Sequence, residues 1–474
     1  MRRHRVRPAV PETVGVLTID RMAAGGDGVG RLDGLAVFVP RTAPGDVVQV
    51  AMTRHARLGR GRVLQLLTPS PHRVEPPCPH YVADRCGGCQ VQHLDESTQQ
   101  LMRRELVQET LRRLGRRDHP LPALTSGMAW RYRRRLTVTL VRAGGRWIGG
   151  LHPHDDPVRV FPLDACLLVE PVIEAAWHGI RTLLRRRDLA WPDVPRLRLA
   201  LRGSTGEGDV DRVTLVVHGG RAWPEAEAWG HAAEAAVSGL AAVWWHPEGA
   251  AGSHRVWSPP GATVLDDPAS GPMDDEPDGS APGEVGAPSA ADAVAFSQVN
   301  AHVAAALRAA VVEGVQAVAP SHVVDAYAGS GVVAAAFVAA GLQVTAIEMD
   351  PAGVAALRAR LAAAAVAAGT AAGTAAATVV AGRVEEALPA LASPAEVVVL
   401  NPPRRGVDPR VCAWLESSAA HAVRRVVYVS CNPATLARDL TRLPGWRLAN
   451  ISCFDMFPQT AHVETVCILD REAP

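Results

Sequence analysis

The chain has 474 residues, a formal net charge of +1, 48% hydrophobic and 20% charged residues, which describes a folded protein long enough for about three domains. No uncharged apolar run of about twenty residues occurs, and the N-terminal MRRHRVRPAVPE has no apolar stretch behind its basic residues. No membrane span and no signal peptide are therefore expected, and the cytoplasm is the expected location.

All 49 basic residues are arginine. Twelve of them fall between Arg103 and Arg146, against Glu105, Glu109 and Asp118, while acids gather between Asp266 and Glu284. A basic middle can face a phosphate backbone, and a solvated face explains the charge equally well.

Residues 14–68 alternate short β-prone runs with glycine and proline turns, and this spacing predicts a small antiparallel barrel. Gly25 to Gly30 is glycine-rich but leads into a strand rather than a helix, so it reads as a turn, not a phosphate loop. The wording GDGVGRLDGLAVFVP followed by APGD resembles the TRAM domain, an OB-like RNA-binding barrel, assigned here to residues 8–69.

Cys86 and Cys89 have the two-residue gap that lets two thiolates reach one metal centre. Cys78 adds a third sulfur and Cys166 a candidate fourth. In a cytoplasmic protein this cluster points to metal rather than disulfides, and the spacing alone admits structural zinc or an iron–sulfur cluster. Ser97 to Leu114 is helical and is stopped by Gly115. Trp130-Arg131-Tyr132-Arg133-Arg134-Arg135 leads into the strand 136–140, and arginines interleaved with aromatics can bind phosphates and stack on bases. Residues 70–264 are read as a central α+β domain. The Pro-, Gly- and acid-rich stretch 265–290 is read as a flexible linker or loop.

The segment 291–474 predicts an α/β Rossmann-like domain. In it, Val323-Val324-Asp325-Ala326-Tyr327-Ala328-Gly329-Ser330-Gly331 joins a buried strand to a helix through a glycine turn, and a second strand ends in Glu348. This is the pattern of a nucleotide-binding half, with the terminal acid accepting from ribose hydroxyls. Two further strands end in Asn401-Pro402-Pro403-Arg404-Arg405-Gly406 and Ser430-Cys431-Asn432-Pro433, and the tail carries Phe457-Pro458-Gln459-Thr460-Ala461-His462-Val463-Glu464. Polar strand ends converging on one sheet edge describe an active site. Cys412, Cys453 and Cys467 sit in apolar surroundings and receive no role.

Together with FSQVN around Gln298, these blocks resemble the class I S-adenosylmethionine-dependent RNA 5-methyluridine methyltransferases, and among them the ribosomal RNA enzymes. The resemblance implies Cys431 as nucleophile and Glu464 as the base that removes a proton. It implies Gln298, Tyr327, Gly329, Glu348 and Asn401 around S-adenosylmethionine, and a [4Fe–4S] cluster on Cys78, Cys86, Cys89 and Cys166, with zinc as the alternative. It also implies a monomer acting on RNA, ribosomal RNA before transfer RNA. Two departures stand out. Seven residues separate Cys78 from Cys86 where the family often has five, and Asn401 stands where the family usually has Asp. The second departure leaves open a catalytically weakened RNA-binding protein.

Overall fold

The computed structural model describes residues 12–205, 211–250, 252–260, 299–367, 377–391 and 395–472. The proposed linker and Gln298 lie outside them.

Strands β1 (Glu12–Met22), β2 (Gly28–Leu32), β3 (Leu35–Val39), β4 (Val47–His55) and β5 (Leu58–Thr68) close into a barrel in the order β1-β2-β3-β5-β4. Its interior is Leu17, Ile19, Val37, Val39, Val48, Val50 and Met52, at alternate positions along the strands. The barrel is not wholly antiparallel as the turn spacing suggested. Strands β3 and β5 pair in parallel, and that pairing closes the cylinder and leaves no sheet edge.

The cysteine segment follows, with the short helix α1 (Pro79–Val82), and then α2 (Glu96–Arg113), capped by the Asp95 carboxylate on the Thr98 amide. Next come β6 (Ala123–Thr125), β7 (Arg135–Ala143), β8 (Arg146–Leu151), β9 (Phe161–Pro162), α3 (Pro171–Arg185), β10 (Arg196–Thr205), β11 (Asp211–His218), α4 (Ala226–Ala236), β12 (Leu240–His246) and β13 (His254–Trp257). All of these strands except β6 form a seven-stranded sheet, with α3 and α4 packed through Ile173, Trp177, Ile180, Trp229 and Ala233.

In this middle region the arginine–aromatic block differs from its sequence reading. Tyr132 is buried and donates to the Pro458 carbonyl (3.0 Å), and Arg131 and Arg134 are paired with Glu174 and Glu170. Tyr132 therefore cannot stack on a base. Its side chain joins the middle of the chain to the C-terminal tail.

The last third builds α5 (Ala301–Gln316), β14 (His322–Ala326), α6 (Val332–Ala339), β15 (Gln343–Glu348), α7 (Pro351–Ala367), β16 (Ala377–Ala381), α8 (Val384–Ala387), β17 (Val397–Leu400), α9 (Pro409–Glu416), β18 (Arg425–Ser430), α10 (Pro433–Leu440), β19 (Trp446–Phe454) and β20 (Glu464–Arg471). Strands β14, β17 and β18 are near-continuous apolar runs because helices cover both of their faces. Val427 and Val429 point toward α5, α6 and α7, while Val426 and Tyr428 point toward α9 and α10.

The sheet order is β16-β15-β14-β17-β18-β20-β19-β6. The strand order reverses between β14 and β17, which opens a crevice at their carboxyl ends. Two elements from the middle of the chain complete this layer. Strand β6 adds to the β19 edge, and α2 packs Val107 and Leu111 into the core it shares with α10.

Candidate active site

Cys431 immediately follows β18, and Asn432 turns the chain into α10 by capping the Ala434 amide (3.1 Å). Strand β20 runs antiparallel to β18 with Ser430 opposite Thr465, and the Thr465 hydroxyl donates to the Ser430 carbonyl (3.0 Å). Cys431 follows Ser430 and Glu464 precedes Thr465, so the two residues lie at the same end of the sheet. Parallel strands would have put the tail's first residue at the far end of the sheet. The antiparallel insertion of β20 is what brings a C-terminal glutamate to the tip of β18.

The Asn401–Gly406 loop lies against this tip. The Arg404 carbonyl accepts from Asn432 Nδ2 (3.3 Å) and the Thr435 hydroxyl (3.2 Å), and the Arg405 carbonyl accepts from Arg438 (2.7 Å). Beneath it, fully buried Asp439 accepts from the Tyr428 hydroxyl (2.9 Å), the Val407 amide (3.0 Å), Arg438 and Arg442. Asn401 itself is exposed, and its amide donates to the Ala326 carbonyl (3.3 Å), beside Tyr327.

Around the reversal point, Tyr327 adopts a left-handed backbone (φ 65°) and Gly329 donates its amide to Glu348 (2.8 Å). The other Glu348 oxygen accepts from the amides of Met349 and Asp350, both at 2.8 Å. A cleft of about 350 Å³ is lined by Tyr327, Glu348, Val384, Glu385, Arg405 and Asp408, among others. Asp325, which carried no role in the sequence reading, lies on β14 beside β15, the strand that ends in Glu348. It is fully buried with Oδ2 unpartnered, and burial pushes its carboxyl up to about 7, with Glu348 adding and the Ala334 amide opposing. A cleft of this size with the Glu348 carboxylate in its lining suits a nucleoside. Tyr327 and Glu348 line this cleft, while Gly329 and Asn401 are tied to its neighbours through the Glu348 carboxylate and the Ala326 carbonyl.

The four cysteines also gather. Cys78 and Cys89 share a core with Tyr81, Tyr132 and Leu168, Cys166 packs on it, and Cys86 sits on the neighbouring core. Burial pushes the Cys86 thiol up to about 12 and Cys89 and Cys166 upward, each raised further by neighbouring thiols of the group. Thiols that repel one another when ionised, in a dry pocket, suit a cationic centre. Among the described residues no group of three or more His, Cys, Asp or Glu meets the spacing for direct coordination of an ion. Arg41 of the barrel donates to the carbonyls of Tyr81 and Cys86 (2.8 Å to the latter) and lies 3.9 Å over the Tyr81 ring.

A family profile described as tRNA (Uracil-5-)-methyltransferase matches residues 291–472. An uncharacterized RNA methyltransferase of Gloeobacter violaceus is 33% identical, over 96% of this chain and 95% of that one. A 23S rRNA (uracil(1939)-C(5))-methyltransferase of Chromohalobacter salexigens is 32% identical, over 97% and 90%. The chain belongs to the RNA uracil-C5 methyltransferase family. Its fold also resembles the solved Pyrococcus abyssi tRNA (uracil-54, C5)-methyltransferase, with a TM-score of 0.66 at 21% identity over 96% of this chain and 99% of that one.

Sequence reasoning missed Arg103, Asp325, Asp439 and Gln459. Asp325 and Gln459 lay inside the strand-end and tail motifs, Asp439 lay a few residues beyond Pro433, and a charge within an apolar strand, as at Asp325, was a usable signal. Arg103 gave none, since the two carbonyls it holds are more than 350 positions away.

Proposed function

We propose that this enzyme transfers a methyl group from S-adenosylmethionine to C5 of a uridine in ribosomal RNA, through a covalent bond between Cys431 and the base. The observation that supports the reading is the antiparallel register of β18 and β20, which pairs Ser430, the residue before Cys431, with Thr465, the residue after Glu464. The ribosomal RNA preference is supported by the names of relatives that align over nearly the whole chain.

Uracil C5 is too weak a nucleophile to take a methyl group unaided. The Cys431 sulfur adds to C6 and turns the ring into an enolate, whose C5 can attack. S-adenosylmethionine, when bound, supplies the electrophilic methyl of a sulfonium. Tyr327, Gly329, Glu348 and Asn401 would hold it in the crevice, joined by Gln298 on the strength of the family resemblance. Glu464 then takes the C5 proton, the C5–H electrons form the C5–C6 double bond, and the C6–S electrons return to Cys431. The target uridine must leave its stack to reach the strand tips, and the N-terminal barrel is a natural contact for the flanking RNA. Cys78, Cys86, Cys89 and Cys166 are proposed to hold a [4Fe–4S] cluster, which iron and acid-labile sulfide content would check against zinc.

The test is transfer of labelled methyl groups from S-adenosylmethionine to unmodified ribosomal and transfer RNA, with mass mapping of the product. We expect 5-methyluridine in ribosomal RNA and none with Cys431→Ala. Transfer that survives Cys431→Ala would remove the mechanism, and product confined to transfer RNA would overturn the substrate.

A further inference from the structure

The loop between β19 and β20, which delivers Glu464, is held almost entirely by residues from the first third of the chain. Arg103, fully buried in the middle of α2, donates from Nη2 to the Thr460 carbonyl (2.7 Å) and from Nε to the His462 carbonyl (3.2 Å), two residues before Glu464. Its guanidinium is paired with buried Asp455 at the start of the loop (3.3 Å). One turn earlier on α2, Gln99 donates to the Gln459 side chain (3.0 Å) and accepts from the Gln459 amide (3.3 Å). Gln459 has a left-handed backbone (φ 69°), a conformation a non-glycine residue keeps only when its surroundings impose it. The Gln90 and Val91 amides, just after Cys89, donate to its carbonyl (both 3.2 Å).

We propose that Arg103 is a positioning residue for Glu464: its planar fork fixes two carbonyls of the loop so that the carboxylate meets the C5 proton. The proposal rests on the roles of Cys431 and Glu464 given above. A buried arginine–carboxylate pair is poor value as a stabiliser, because apolar residues of similar volume commonly serve as well. A guanidinium is, however, the one side chain that aims several donors in a fixed plane. Lysine has neither the plane nor the span.

The step at stake is elimination. Addition of the Cys431 sulfur to C6 and attack of C5 on the methyl group do not need Glu464. Loss of the C5 proton does, and until it occurs the C6–S bond persists. A displaced Glu464 therefore stalls the enzyme as a methylated covalent RNA adduct.

The experiment uses full-length Arg103→Met, Arg103→Lys and Gln99→Met with unmodified ribosomal RNA and a labelled methyl donor. It reads turnover, the KM for RNA, and label in a protein–RNA adduct that survives denaturing electrophoresis. We expect turnover of Arg103→Met to fall about 100-fold and that of Gln99→Met roughly tenfold, the scale of an ångström-level misplacement, with KM unchanged and labelled adduct accumulating. Arg103→Lys keeps the charge beside Asp455 but cannot fork both carbonyls, so it too should accumulate adduct. If Arg103→Met does not fold, the other two variants decide. Slow methyl transfer without adduct, or wild-type turnover in Arg103→Lys, would overturn the proposal. Absence of 5-methyluridine product from the wild-type enzyme would instead sink the underlying mechanism.

Discussion

Asp325 shows how one residue can set the pH response of the site. Its carboxyl, enclosed between the strand core and α6, is pushed from an ordinary 3.8 up to about 7, chiefly by burial. Between roughly pH 4 and pH 7 the native state keeps a proton that the unfolded chain has released. The native state then binds more protons, so stability falls as pH rises through that window and levels off above it. Asp325→Asn removes the titrating group and should flatten this part of the profile. Urea midpoints of the ligand-free enzyme from pH 4.5 to 8 would check this, and parallel profiles for the two proteins would show that Asp325 is already ionised. A protonated Asp325 is also a hydrogen-bond donor, whereas Glu348 on the adjacent strand accepts three backbone amides. Two acids on adjacent strands thus do opposite work.

At the scale of elements, the loop from Asn401 to Gly406 and helix α10 are one unit, held together by buried Asp439. Gly406 has φ +79°, and a Cβ there would lie 2.3 Å from Asp439 Oδ2 and 2.5 Å from Arg438 Nη2. Gly406→Ala therefore strains the backbone and displaces a buried charge from its donors. A loss of about 3 kcal/mol is expected, with methyl transfer falling more than stability because the loop borders Cys431. Chemical denaturation and activity at a temperature where the variant is folded would separate the two effects, and a loss under about 0.5 kcal/mol, the range of an ordinary surface change, would count against this account. This unit was largely legible in the sequence, since Asn-Pro-Pro-Arg and Ser-Cys-Asn-Pro each mark a strand end by local chemistry. That Cys431 and Glu464 belong to one site was legible only as a family resemblance. It depends on β20 entering antiparallel between β18 and β19, which no local pattern announces. Tyr132 misled for a related reason: an aromatic among arginines looks like a stacking surface until distant Pro458 is seen to cover it.

The whole molecule is less divisible than its sequence suggests. Composition and motifs place a boundary near residue 291, and the family profile begins there too. Yet the C-terminal layer borrows β6 for its outer strand and α2 for one face of its core, both from a stretch that reads as part of the middle domain. Val107 and Leu111 are completely buried against α10 and its neighbours, which corresponds to about 1.5–3 kcal/mol for each side chain. Arg117 adds a bond to the Leu443 carbonyl (2.7 Å), and without Arg103 the buried Asp455 carboxyl loses its cation. Set against a total stability of roughly 5–15 kcal/mol, these losses are enough to unfold the domain. Residues 291–474 expressed alone should therefore aggregate or lack a cooperative thermal transition, and joining residues 92–128 to them should restore one. Calorimetry and gel filtration of the two truncated chains would decide. A monomeric 291–474 that unfolds near the temperature of the full protein would show that α2 and β6 merely decorate the layer. Cooperative unfolding only with α2 and β6 present would mean that the elements fixing the Glu464 loop are the same ones that hold its domain together.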